Sequence, residues 1–297
     1  MPTTTPVIAR IMEEQQQGHT TRLRLFSVLE QILRRPVVAF FTSFRFPVMI
    51  EDTDVDILEG VLQKMNLSTG LALMISSPGG DGIAAERVLN LCRQFSGTKE
   101  FWAIVPSRAK SAATMVCFGA SKILMGPNSE LGPVDPQVTV KEGSTYKRFS
   151  ACNVVESYDE LFGKAVRTSG NLQPFLLQLG NYDARDVKEL RAAISLSEDI
   201  SIKSLASGMM KGAQTRKIKK KIGIFLSPKV TKAHGRPIYP EEANSCGLNI
   251  ERIDRKSRQW VPIYELYLRI NRLVSTSASK CIETKDTLFT VAAPALG

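Results

Sequence analysis

LALMISSPGGDGIAAERVLNLCRQF, residues 71–95, decides the fold. Its first six residues form an apolar run of the length and character of a buried strand. The run ends in SSPGGDG (76–82), a glycine turn, and GIAAERVLNLCRQF (82–95) reads as the helix that follows. Working outward, FWAIV (101–105) is a second buried strand, and PSRAKSAATMVCFGAS (106–121) leads through a short loop into small residues that open a helix. KILMG (122–126) is a short strand. On the amino side, VVAFFTSF (37–44) is β-branched and aromatic, hence a strand, and Pro36 stops a helix over 22–35. DTDVDILEGVLQKMN (52–66) opens on acids and places Val55, Leu58, Val61, Leu62 and Met65 on one face. Strands and helices alternating at this spacing predict an α/β fold with a mainly parallel sheet.

The rest of the chain reads less sharply. Residues 1–20 are polar and read as disordered, and 127–150, with three prolines, reads as loop. Helices are expected over 157–170, 183–194, 202–210 and 260–274, and a turn with a short helix over 234–248. The tail after 275 reads as small, polar and loose. The expected organisation is a tail and helix (1–35), a catalytic domain (36–250), and a carboxyl-terminal helix with a loose tail (251–297).

Composition excludes several classes. The 297 residues are 43% hydrophobic and 23% charged, ordinary for a globular protein. No apolar run reaches the roughly 18 residues of a membrane span, and the first twenty residues lack the apolar core of a secretory signal. The five cysteines (Cys92, Cys117, Cys152, Cys246, Cys281) are scattered and form no CxxC. That argues against a disulfide scaffold or a cysteine zinc site and fits a reducing, cytoplasmic setting. No metal site and no cofactor are expected. The net charge is +10, and ten basic residues without an acid lie between Lys203 and Arg236. The plain reading is a solvated basic loop; an acidic substrate or an anionic membrane surface are the alternatives. The segment lacks interleaved aromatics, so nucleic acid is the weakest partner.

Two segments carry chemistry. Paired glycines at the carboxyl end of a strand free backbone N–H groups to form an oxyanion hole, although such a turn also occurs with no function. Ser111 opens a helix of small residues, where it serves either as nucleophile or as N-cap. Together, a glycine turn and then a serine, about thirty residues apart and each at the top of a strand, resemble the Clp protease and signal peptide peptidase group of serine peptidases, of crotonase-like fold. The match runs SPGG (77–80), SAATM (111–115) and SKILMGPNSELG (121–132). Lys122-Ile123 and Pro127 follow Ser111 at the spacing of signal-peptide-peptidase-like sequences, which points to Ser111 and not Ser107 or Thr114. FFTSFRFPVMIEDTDVDILEGVL (40–62), VPSRAKSAATM (105–115), MGPNSELGPVDPQ (125–137) and HGRPIYPEEANSCGL (234–248) together resemble the serine dehydrogenase proteinase family. The resemblance implies a repeated ββα core with a helical carboxyl-terminal part, a protein or peptide substrate added as a β-strand, and a homo-oligomer.

It also implies site residues. The oxyanion donors would be the N–H groups of Gly80, with Gly79 nearby, and of Ala112. The stretch that holds the Clp histidine reads ELGPVDPQ (130–137) and has none, so the base is sought in a lysine. Lys164 lies in GKAVRTSGN (163–171), similar to the lysine helix of NfeD-type peptidases, and would need burial to lower its pKa. Otherwise it faces solvent and pairs with Asp159 or Glu160. Lys110 is next to Ser111 but points away from it in an extended segment. His234, with His19 one of only two histidines, would serve only where the basic segment folds back over the site. Asp135 would orient a neighbour or shape its turn. The favoured expectation is a serine peptidase with a Ser111–Lys164 dyad. A non-catalytic oligomeric scaffold and a crotonase-type acyl-CoA enzyme are the alternatives. The chain carries no ATP-binding P-loop, so hydrolysis is ATP-independent or needs a separate unfoldase.

Overall fold

The computed structural model describes residues 6–14, 18–143 and 145–294. The first half runs α1 (Val7–Glu13), α2 (Thr20–Leu33), β1 (Val37–Thr42), α3 (Asp52–Leu62), β2 (Leu71–Ser76), α4 (Gly82–Phe95), β3 (Phe101–Val105), β4 (Arg108–Ala109), α5 (Ala112–Phe118), β5 (Lys122–Met125) and β6 (Glu130–Leu131). A hairpin of β7 (Gln137–Glu142) and β8 (Thr145–Ser150) follows, then α6 (Ala151–Arg167), α7 (Gln173–Leu179) and α8 (Ala184–Ala206). The chain continues with α9 (Thr215–Lys221), α10 (Gly223–Leu226), α11 (Pro228–Thr231), α12 (Pro240–Ser245), β9 (Ile250–Arg252), α13 (Trp260–Thr276), β10 (Ala278–Glu283) and β11 (Leu288–Ala292).

Among the described residues the main sheet has seven strands in the order β11-β10-β1-β2-β3-β5-β9. The five from β1 to β9 run parallel, and β10 and β11 close one side antiparallel. The fold is α/β with a mostly parallel sheet, as expected. Period-two alternation divides the apolar residues between two faces. Val38, Phe40, Leu71, Leu73 and Ile75 face the core covered by α3, α4, α5 and α8. Ala39, Phe41, Ala72 and Met74 face a second core covered by α2 and α13. Strands buried on both faces explain why these runs are continuously apolar. The carboxyl ends of β2 and β3 meet at the glycine turn and the Ser111 loop, where parallel sheets place their sites.

Four expectations are corrected. Residues 6–14 hold a helix, α1, whose Ile11 is buried; the remainder of the disorder expected over 1–20 falls partly outside the described residues. The loop expected over 127–150 contains the β7–β8 hairpin. The helices expected over 183–194 and 202–210 are one element, α8. The tail expected to be loose supplies β10, buried along its whole length against β1. Its two charged residues are buried as ion pairs. Lys280 Nζ lies 3.0 Å from both Asp54 oxygens, and Glu283 accepts from Arg22 Nε at 2.8 Å and lies 2.6 Å from His19 Nδ1.

Candidate active site

Ser111 stands in the turn between β4 and α5 with φ 49° and ψ −121°. A side chain there is strained, and a strained strand-to-helix turn is how a nucleophilic serine is held out toward a cleft. The glycine turn fits against it. A Cβ on Gly79 would lie 2.6 Å from Ser111 Cβ and 2.8 Å from the Lys110 carbonyl oxygen, so glycine is the only residue that packs there. Thr42 and Ser77 brace the turn by a hydroxyl pair at 2.6 Å.

Backbone direction sorts the expected oxyanion donors. The Gly79 N–H donates to Ser77 Oγ at 3.1 Å, so Gly79 has no free donor, and its role is close packing. Ile50 donates to the Gly79 carbonyl at 2.8 Å and accepts from Asp81 N–H at 2.9 Å. Successive peptide groups alternate along an extended segment, so Gly80 N–H points to the edge away from Ile50. Ala112 N–H is at the first position of α5, where helix geometry leaves it without an intrahelical acceptor. Among the described residues neither N–H donates to a backbone carbonyl.

Of the accessory candidates, His234 reaches the cleft. Its Nδ1 lies 2.8 Å from Asp135 Oδ1. Asp135 is 1% exposed and also accepts from Gln137 Nε2 at 2.9 Å. A buried carboxylate on Nδ1 selects the tautomer with the proton there and leaves Nε2 as the free acceptor. Ser111, Gly79, Gly80, Val134 and His234 line one cavity of about 660 Å³. No hydrogen bond joins Ser111 Oγ to His234 among the described residues; such contacts are commonly long before substrate arrives. A second cavity of about 990 Å³, with Tyr182 and Phe149 on its wall, adjoins the first and shares Gln137, Arg148 and His234 with it.

The basic segment delivers His234, because it does fold back. Ile218, Ile222 and Phe225 of 215–226 are fully buried. Phe225 meets Phe118 edge to face at 5.1 Å, and its carbonyl accepts from Val134 N–H at 2.8 Å. Leu131 and Ile238 then exchange two backbone bonds at 3.0 Å, closing the loop that carries His234.

The other candidates go elsewhere. Lys164 is exposed near the end of α6 and does not line the Ser111 cavity. Asp159, one of its expected partners, instead binds Arg191 at 2.5 Å. An amphipathic helix buries only the stripe that includes Ala151 and Val155, and Lys164 lies off it. Lys110 is largely buried and held by Glu130 at 2.6 Å; it does not line the cavity. Thr114 is fully buried, donating to Ala109 carbonyl at 2.8 Å and accepting from Gly132 N–H at 3.0 Å, so it has no free hydroxyl. Burial pushes the Cys92 thiol up to about 12, away from nucleophile chemistry. Among the described residues no cluster of three or more His, Cys, Asp or Glu could hold a metal, and no helix is long and apolar enough to cross a membrane.

Residues 9–159, just over half of the chain, match the family described as ClpP-like SDH-type serine proteinase. Two uncharacterised proteins of Methanocaldococcus jannaschii are similar. One is 32% identical over 38% of this chain and 38% of its own length. The other is 26% identical over 46% of this chain and 43% of its own length. The chain thus spans less than half the length of each. Among solved structures, a mutant of the 1510-N membrane-bound stomatin-specific protease aligns at 13% identity and a TM-score of 0.31, over 73% of this chain and 98% of that one.

Proposed function

Because the chain belongs to the ClpP-like SDH-type serine proteinases, we propose that it hydrolyses peptide bonds with Ser111 as nucleophile and His234 as base, oriented by Asp135. One observation carries this reading: the Asp135–His234 pair, at 2.8 Å, opens onto the same cavity as the strained Ser111 turn. His234 replaces Lys164 as the base in this reading, since Lys164 is exposed and off the cavity.

In the proposed reaction His234 Nε2 takes the Ser111 Oγ proton as Oγ attacks the substrate carbonyl carbon. The charge that develops on the carbonyl oxygen is held by Gly80 and Ala112 N–H, each donor worth about 10²- to 10³-fold in rate. Asp135 stabilises the imidazolium and does not itself take the proton. The imidazolium then protonates the leaving amine, and the C–N bond breaks. Water attacks the acyl-enzyme, giving its proton to Nε2, and the acid leaves as Ser111 regains its proton. The two joined cavities leave room for chain on both sides of the cut, which supports endopeptidase action on protein or peptide substrates. A substrate strand would enter on the edge of the turn that Gly80 faces, opposite Ile50. A homo-oligomer and contact of the basic 203–236 segment with an anionic surface belong to the same proposal.

The test compares wild type with Ser111→Ala, His234→Ala and Lys164→Ala on an unstructured protein, with fragments read by mass spectrometry. Wild type and the Lys164 variant should cut alike, and the other two should lose activity by at least about a thousandfold. Cutting by the His234 variant together with loss in the Lys164 variant would restore the lysine dyad. No cutting by wild type at any pH would favour the non-catalytic scaffold.

A further inference from the structure

Lys110, the residue before the nucleophile, has a part that the proposed reaction does not use. Its backbone is pinned on both sides: Lys110 N–H donates to Ser77 carbonyl at 3.0 Å, and its carbonyl accepts from Ala113 N–H at 2.9 Å. Its side chain turns away from the cavity and runs under Gly132, where a Cβ would lie 2.5 Å from Lys110 Cδ. The ammonium then meets three acceptors. Glu130 Oε1 is at 2.6 Å, the Leu131 carbonyl at 3.3 Å and the Gly235 carbonyl at 3.5 Å. An ammonium has three donors and no acceptor, so every donor has a partner and nothing is left to take a proton. Gly235 immediately follows His234. One side chain therefore ties the nucleophile turn, β6 and the histidine loop together.

We propose that the Lys110–Glu130 pair is a latch that positions the His234 loop over Ser111, so that Lys110 governs turnover without touching substrate. The inference rests on the reading of His234 as the base. The opposite end of the loop is held by the Leu131–Ile238 bonds, and His234 itself by Asp135. Without the latch the loop keeps its ends and loses its tie at Gly235. Base and nucleophile then share the productive geometry for a smaller fraction of the time.

The latch works only while the amine is charged. Burial, the largest effect, lowers the Lys110 pKa; Arg108 adds to this, and Glu130 opposes it. Those two are the charged groups acting on the amine, from β4 and β6. The amine therefore loses its proton at a lower pH than an ordinary lysine, and turnover should fall along that alkaline limb.

The experiment uses the full chain with Lys110→Met, Lys110→Arg and Glu130→Gln. Steady-state cleavage is measured across about pH 6 to 10, and hydrogen exchange is followed over residues 232–238. Lys110→Met should lower kcat about ten- to a hundredfold with KM within about twofold. Exchange in 232–238 should quicken about tenfold, with the sheet strands unchanged. Lys110→Arg, which stays charged throughout this range, should recover kcat to within about threefold and lose the alkaline fall. Glu130→Gln should show the same kcat loss in a chain that keeps the lysine stem, which covers a Met variant that fails to fold. Unchanged exchange in 232–238, or a rise in KM with kcat intact, overturns the latch. The exchange readout needs no cleavage, so the latch is judged even where the peptidase reading fails. That reading fails separately, through activity in Ser111→Ala or His234→Ala.

Discussion

Replacing Ser111 by glycine and by alanine separates the strain at the proposed nucleophile from its chemistry. At φ 49° and ψ −121° the Cβ, not the hydroxyl, is what the backbone disfavours. Alanine keeps the Cβ and so keeps the strain, of about 2 kcal/mol. Glycine removes it, against a loss of about 0.75 kcal/mol from greater freedom in the unfolded chain. Nothing else differs much between the two. The half-buried side chain makes no hydrogen bond among the described residues, and the single methyl contributes a few tenths of a kcal/mol in contacts. Ser111→Gly should therefore be more stable than Ser111→Ala by about 1 kcal/mol. For a chain of 297 residues that is a rise of about 2 °C in Tm. Calorimetry and urea midpoints read the difference, and both variants should be inactive in the cleavage assay. A glycine variant no more stable than the alanine variant would refute the reasoning, because the turn at Ser111 would then hold no strain.

Other expectations follow from the same geometry. Asp135→Asn should lower kcat about 10³- to 10⁴-fold with little change in KM, because the amide no longer fixes the tautomer of His234; a loss under tenfold would remove Asp135 from the mechanism. Gly80→Ala puts a Cβ 2.2 Å from the Ile50 carbonyl oxygen, so the turn must shift; steady-state kinetics should show at least a hundredfold loss of kcat, and near-normal turnover would exclude Gly80 N–H as an oxyanion donor. Lys280→Met leaves Asp54 buried without its cation, at a cost of about 3–5 kcal/mol. Burial already raises the Asp54 pKa, so that site favours the fold at low pH and loses stability as the pH rises and the carboxylate ionises; Lys280 restrains this loss. Urea midpoints of the Lys280 variant should fall more steeply than wild type between about pH 4 and 7, and parallel profiles would contradict the assignment.

Much of the fold was legible because it rests on short-range rules. Residues 71–76 and 82–95 read in sequence as a strand and a helix, and β2 and α4 occupy them, with the glycine turn and Ser111 at the strand ends. Periodicity and turn chemistry act over a few residues, and a short sequence window contains them. What lay beyond reach depends on partners far away in the chain. ASKCIE (278–283) reads as a polar tail until Lys280 meets Asp54, and Glu283 meets Arg22. Only those contacts make it a buried strand beside β1. A lysine on an amphipathic helix is visible in GKAVRTSG, but which neighbour the helix packs against is not, and Lys164 is left exposed.

The site divides along the same line. The Ser111 turn, the glycine turn and the serine proteinase family are legible in the sequence, since each rests on a local motif at one strand end. The residue proposed as base comes to the cleft only through the tertiary structure. Asp135 and His234 are 99 residues apart, and they meet only because Ile218, Ile222 and Phe225 bury themselves and carry the basic segment back across the cleft. Burial of apolar side chains is non-directional, so no local pattern states where such a segment will come to rest.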